Sequence, residues 1–491
     1  MQRIFARSLR LPLLTALATL LTCPSSWGFT NEQGSQLLDL TTTPYGYLSL
    51  LIFALAYLFI AGEDYFHLQK SKPVIVAAGI IWLLVGIAYA THGDNSTAGI
   101  ELRKAILDYA ELFLFLLSAM TFINMMEERR VFVALRSWLI SRNYSLRTVY
   151  WLTGGLTFML SPLADNLSSA LLMGAVVMAV GGHSPRFVTL GCINIVVAAN
   201  AGGVFSPFGD ITSLMVWQHG VVEFGDFIKL LLPALVNWLV PALLISIKVT
   251  NGPPQARHNR QYMKQGALVI MALFVATVAL SVLIHSLLNL PPVLGMMTGL
   301  GVVKLYAFFL SRQDPILQEQ GHIRHLHRDN LGGGHEEIRG DHTSVVQRFD
   351  MFRVVERSSW DTLMFFYGIV LCIDGLATLG YLNGLSAVLY GELGSLWANT
   401  LIGILSAAID NIPIMFAVLS MDPAMDLNEW LLVTLTVGTG GSLLAIGSAA
   451  GVALMGQAST TYTFVSHLKW SWAILLGYAL GIACHLWLNG V

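Results

Sequence analysis

Residues 161–166 read Ser161-Pro162-Leu163-Ala164-Asp165-Asn166, and the pattern returns as Ser406-Ala407-Ala408-Ile409-Asp410-Asn411-Ile412-Pro413. Each Asp-Asn pair sits inside an apolar stretch long enough to lie in a bilayer. A carboxylate at the bilayer centre costs about 3 kcal/mol or more, so it marks a functional site unless something else explains it. The bland explanation is that Asp and Asn merely cap the ends of half-length helices, which both do well. Two copies on opposite halves of one chain point instead to a single site built from an internal repeat.

Composition agrees with a membrane setting. Of the 491 residues, 55% are hydrophobic and only 11% charged, against roughly 25% charged in soluble domains. The net charge of −2 implies no nucleic-acid partner. The four cysteines, Cys23, Cys192, Cys372 and Cys484, are too scattered for a metal site or a disulfide framework. Nothing implies a cofactor. A homo-oligomer is compatible with this composition.

Outward from the two tips, the fold reads as an all-α polytopic membrane protein made of two inverted repeats. Residues 1–28 resemble a signal peptide, with Arg3, Arg7 and Arg10 ahead of an apolar run and a cleavage site before Phe29. An uncleaved anchor is the alternative. The first repeat, 29–250, places spans at 46–62, 73–91 and 105–123, then a basic amphipathic stretch from Arg129 to Arg147. A re-entrant hairpin over 149–180, made of two half-length arms, carries Asp165 at its tip. A span at 187–216 is broken by the glycines and proline of 201–210, and a span at 229–248 closes the repeat. After a cytoplasmic linker, 251–265, the second repeat, 266–491, gives spans at 266–287, 291–311 and 360–380. A hairpin at 396–420, a broken span at 428–466 and a last span at 470–489 follow. Asp165 and Asp410 are 245 residues apart, and Gly202 and Gly440 are 238 apart, which is nearly one repeat length.

Charge sets the orientation. With Phe29 outside, 21 of the 24 Lys and Arg after the signal fall on cytoplasmic segments. Only Arg103, Lys104 and Lys229 fall outside. Five full spans per half make the halves inverted, so one hairpin enters from each side. The cytoplasmic loop 312–358 holds His322, His325, His327, His335 and His342. It is either a pH sensor or a solvated loop.

The chemistry is that of oxygen. Asp165, Asn166, Asp210, Asp410 and Asn411 fall on the tips and breaks, with Ser161, Ser406 and Ser448 close by in sequence. No Lys or Arg lies in the four discontinuous segments, apart from the interfacial Lys469. Hard cations take oxygen ligands, which leaves H⁺ and alkali cations such as Na⁺ as candidates. With Gly209 aligned on Gly447, Ser448 is the counterpart of Asp210, so the halves are not chemically equal. Asn200, Thr212 and Ser213 either add ligands or satisfy loosened backbone. Asp108 and Glu111, at helical spacing i, i+3, are candidates for a proton path. Asp361 reads as interfacial, and Asp374 lies deeper with no role assigned.

These motifs, together with Asn-Ala-Gly-Gly-Val-Phe-Ser-Pro-Phe-Gly-Asp at 200–210 and Trp-Asp-Thr-Leu at 360–363, resemble the NhaD-type sodium/proton antiporters of the ArsB/NhaD ion-transporter superfamily. The resemblance covers nearly everything after residue 45. It implies an inner-membrane carrier exchanging cytoplasmic Na⁺ or Li⁺ for external H⁺, serving sodium extrusion and pH homeostasis at alkaline pH. The implied site includes Asp165, Asn166, Asn200, Asp210, Asp410 and Asn411, with Glu111 at an acidic family position. Where the family pattern has a glutamate before the Trp-Asp-Thr motif, this chain has Ser359.

Two rival readings stand beside it. One is a carrier of another small ion or a carboxylate on the same fold. The other is an intramembrane aspartyl protease, in which two aspartates share a proton. Carboxylates at the tips oppose the first where the substrate is an anion. The repeat, the third aspartate and the broken helices oppose the second.

Overall fold

The computed structural model describes residues 37–490 apart from 67, 143, 183, 253–260 and 311–358. The signal segment, most of the linker and the histidine-bearing loop lie outside the described residues. Among the described residues every regular element is helical, and eight helices are long and apolar enough to cross a membrane. Large apolar side chains such as Leu268, Val275, Leu283 and Leu287 lie exposed along one of them. Lipid covers such a surface at no cost, whereas water does not.

The first half runs α1 (Pro44–Ala61), α2 (Ser71–Thr91), α3 (Thr97–Glu128), α4 (Val131–Ser141), α5 (Leu146–Ala164), α6 (Asn166–Gly181), α7 (Pro185–Gly203), α8 (Ile211–Gln218) and α9 (Leu231–Ser246). The second runs α10 (Ala267–Leu288), α11 (Val293–Leu310), α12 (Trp360–Thr378), α13 (Ser395–Leu405), α14 (Asn411–Met421), α15 (Leu427–Gly440), α16 (Ala449–Gln457) and α17 (Ser471–Asn489). Local chemistry sets several starts. Thr43 accepts a bond from Gly46 N ahead of Pro44, and Asp426 with Glu429 forms a capping box at α15.

Two elements differ from expectation. The third span is longer than 105–123, a helix of 32 residues. The first arm of the first hairpin is not half-length: α5 has 19 residues, about 28 Å. Ser145 caps it by accepting from Thr148 N, and nothing interrupts it before Pro162 in its last turn. The arms of the second hairpin, α13 and α14, have 11 residues each, as half-length arms should.

The chain packs as two units, each drawing helices from both halves of the sequence. The smaller comprises 111–135 and 260–360, and its core joins Phe122 and Met126 of α3 to Ile270 and Phe274 of α10 and Leu300 and Val303 of α11. Gly295 and Gly299 let α11 lie directly on α10. A methyl at either would collide with Ser281 or Thr277, the close approach that small residues four apart permit between membrane helices.

The larger unit holds both hairpins and both broken helices, and its packing is reciprocal. In each half the first hairpin arm lies on the first piece of that half's broken helix, α5 on α7 and α13 on α15. The second arms cross over, α6 onto α16 and α14 onto α8. The last spans, α9 and α17, pack on each other. Two glycines make the in-half contacts possible. Pro162 has no N–H to give the Phe158 carbonyl, and Gly202 sits against that carbonyl; Gly440 sits against the Gly403 carbonyl in the same way. A Cβ at either glycine would strike backbone oxygen. Gly202→Ala and Gly440→Ala are each expected to destabilise the unit by about 1–3 kcal/mol. A thermal melt in detergent checks this, and an unchanged Tm would show that the helices have room to part.

Candidate ion-binding site

Each broken helix is rebuilt by the same local device. Gly209 leaves no space beside the Gly203 carbonyl and Pro162 Cα, and Gly447 leaves none beside the Gly441 carbonyl and Ala407 Cα. The next residue then opens the second piece from extended backbone: Asp210 at φ −138°, ψ 143° and Ser448 at φ −143°, ψ 149°. Ser448 spends its side chain on the cap, accepting from Gly451 N at 3.3 Å. Asp210 makes no such cap bond, and its carboxylate faces Asn166 and Asn411, the first residues of α6 and α14.

Asp210, 5% exposed, is where the two halves meet. Asn411, first residue of α14, donates from Nδ2 to Asp210 Oδ2 at 3.2 Å. Thr212 Oγ1 donates to the same oxygen at 2.8 Å. Asn166, first residue of α6, points Nδ2 at Asp210 Oδ1 at 3.5 Å and at Asn200 Oδ1 at 3.4 Å. Asn200, fully buried, donates to Ser442 Oγ at 2.9 Å. These partners are neutral, so the hydrogen bonds orient the carboxylate without cancelling its charge.

The two tip aspartates behave differently from each other. Asp165 turns back on its own helix, its Oδ1 accepting from Ser168 N at 2.6 Å and its Oδ2 from Ser168 Oγ at 3.1 Å. Its backbone at φ 53°, ψ 162° lies in a region that suits glycine, and a non-glycine residue there costs about 1–3 kcal/mol. Asp410 makes no cap bond. Its Oδ2 lies 3.9 Å from Lys70 Nζ. Among the described residues no three His, Cys, Asp or Glu side chains gather as a metal cage, so the structure does not bring the three aspartates to one point. Ser161 and Ser406 donate to backbone carbonyls, Ser161 to Ala199 and Ser406 to Gly403 and Val437. Ser213 donates to the Val204 carbonyl.

Within the larger unit a polar cavity of about 780 Å³ is lined by Glu101, Lys104, Asp108, His219, Asp374 and Asp422, among others. It takes in Asp108 and gives Asp374 a setting, with Ser420 Oγ donating to Asp374 Oδ1 at 3.2 Å. Burial holds the His219 imidazole below its usual value, with the Asp108 carboxylate opposing that effect. Glu111, one turn further along α3, belongs to the smaller unit. Sequence reasoning missed Lys70 beside Asp410, because this lysine lies outside the four discontinuous segments that carry no Lys or Arg but Lys469, and missed Ser442 as the partner of Asn200. No periodicity links residues so far apart in the chain.

Two helix-hairpin tips, two helix breaks and a buried carboxylate between them suit a membrane carrier for small ions. A family model described as a citrate transporter matches residues 48–438. The chain is 50% identical over 470 residues to the Na(+)/H(+) antiporter NhaD of Vibrio cholerae, covering 96% of this chain and 97% of that one. It is 51% identical over 460 residues to the NhaD of Alkalimonas amylolytica, 92% of each chain. Sodium/proton antiporter 1 of Arabidopsis thaliana is more distant, 30% identical over 89% of this chain and 71% of that one. The chain belongs to the NhaD-type Na⁺/H⁺ antiporters and is a multi-pass inner-membrane protein, a secondary transporter rather than an enzyme.

Proposed function

We propose that the chain carries Na⁺ or Li⁺ out of the cytoplasm in exchange for external H⁺, with Asp210 at the centre of the ion site. The observation that carries this reading is the buried Asp210 carboxylate, met by Asn411, Asn166 and Thr212 without a cation among them. A side-chain amide offers either N–H or C=O. Asn166 and Asn411 can therefore donate to Asp210 when no metal is present and turn oxygen toward a cation when one arrives. Asp165, Asp410, Asn200, Ser161, Ser406 and Ser448 complete or support the site. The polar cavity with Asp108 and Asp374 serves as its external approach, as the charge-based orientation implies. The same orientation makes the halves inverted, and the reciprocal packing of hairpins and broken helices suits an alternating-access carrier. A carboxylate substrate, as the family model's description suggests, would meet repulsion at Asp210.

Everted membrane vesicles test the reading directly. With the interior acidified, external Na⁺ or Li⁺ should discharge the pH gradient, while K⁺ and citrate should not. Discharge by citrate alone would favour the carboxylate carrier. Two aspartates that each release a proton for one Na⁺ would make the cycle electrogenic. A potential would then drive it with about 2.3 kcal/mol per charge per 100 mV. Rates in liposomes should respond to a valinomycin-clamped potential; indifference to the potential would mean electroneutral exchange.

A further inference from the structure

Lys70 precedes α2 in the chain, and the sequence places it in a short cytoplasmic loop far from either Asp-Asn motif. In the folded larger unit its Nζ reaches to 3.9 Å from Asp410 Oδ2. The approach is held by its surroundings. The neighbouring Ser71 hydrogen-bonds through Oγ to Asp361 Oδ1, tying this loop to α12. One turn along α12, the buried ring of Phe365 lies under the ammonium, 4.6 Å from ring centroid to Nζ. A cation over an aromatic face is attracted to it, so the ammonium has two resting places within reach of each other.

The carboxylate side fits the same picture. Asp165 commits both oxygens to its own helix, whereas its repeat counterpart Asp410 makes no cap bond and faces the lysine instead. The two side chains are 26% and 27% exposed. Such a pair is shielded enough to matter and open enough for a small ion to reach the carboxylate.

We propose that Lys70 is a tethered counter-ion for Asp410. Its ammonium neutralises the carboxylate while the transported cation is away, and cation binding displaces it toward the Phe365 ring. This rests on the reading of Asp410 as part of the Na⁺ site around Asp210, and makes Lys70 a positioning residue that acts through Asp410. Binding Na⁺ then requires breaking the Lys70–Asp410 contact, so the lysine lowers Na⁺ affinity and speeds Na⁺ release on the far side.

The test measures Na⁺-dependent H⁺ exchange in liposomes for wild type, Lys70→Gln, Lys70→Arg, Asp410→Asn and the Lys70→Gln/Asp410→Asn double variant. Losing the competing charge at this distance should improve apparent Na⁺ affinity by about tenfold in Lys70→Gln, with a lower maximal rate. Lys70→Arg, which keeps the charge, should stay closer to wild type. Reactivity of the Lys70 amine toward an acylating reagent, read by mass spectrometry, supplies a second readout. It should rise with Na⁺ in wild type and be high and Na⁺-independent in Asp410→Asn. Residual Na⁺ binding in the double variant should match that of Asp410→Asn alone. An apparent affinity that is unchanged or weakened in Lys70→Gln overturns the proposal, as does amine reactivity indifferent to Na⁺ in a wild type that exchanges. A wild type with no Na⁺/H⁺ exchange overturns the underlying reading of the site, and the proposal with it.

Discussion

Asp210→Asn is expected to abolish Na⁺-dependent H⁺ exchange in everted vesicles while the protein still inserts and accumulates normally. Asparagine keeps the size of the side chain and can keep the contact with Thr212, so the helix break should survive. What disappears is the negative charge that the buried site offers to a cation. Removing one member of a desolvated charge pair costs about 2–5 kcal/mol, or roughly 30- to several-thousand-fold in affinity. The matching changes at the tips separate two roles. Asparagine caps a helix about as well as aspartate. If Asp165 only caps α6, Asp165→Asn should transport nearly as wild type; if its charge also serves the ion, exchange should fail. Near-normal exchange by Asp210→Asn would remove Asp210 from the site.

The second large effect is in pH. A carboxylate that binds Na⁺ and carries H⁺ cannot do both at once, and linkage makes each ligand weaken the other by the same factor. Where protons occupy the site, apparent Na⁺ affinity should fall up to about tenfold per pH unit for each competing proton. At higher pH it should level off, so the carrier works best in alkaline medium and suits sodium removal there. The five histidines between His322 and His342 offer a different cause of the same profile, since histidine titrates near neutrality. Deleting residues 320–343 and measuring apparent Na⁺ affinity from about pH 6 to 9 separates the two. Competition at the site predicts that the slope survives the deletion. A flat affinity in a variant that still transports would move the pH response to the loop.

Much of this architecture was legible because membranes make polar residues conspicuous. Asp165-Asn166 and Asp410-Asn411 stand out in apolar runs, and Gly202, Gly209, Gly440 and Gly447 mark the breaks by their repeat spacing. The structure gives those glycines a concrete reason, namely backbone carbonyls where a Cβ would otherwise sit. The length of α5 was not legible, because a proline in the last turn of a helix reads like one at a hairpin tip. Nor were the partners across the site. Asn200 with Ser442, Asp374 with Ser420 and Lys70 with Asp410 join distant segments, and those pairings come from tertiary packing alone. Ser359, where the resemblance implies a glutamate, is exposed, while Asp361 two residues on is engaged by Ser71.

The decisive measurement is radioactive Na⁺ uptake by the purified chain in liposomes that hold no other protein, under an imposed pH gradient. With an acidic lumen, wild type should accumulate Na⁺ above its external concentration, stop when the gradient is collapsed, and show no accumulation as Asp210→Asn. Sodium entry indifferent to the pH gradient, or gradient-driven accumulation that persists in Asp210→Asn, would contradict exchange of Na⁺ for H⁺ at this carboxylate.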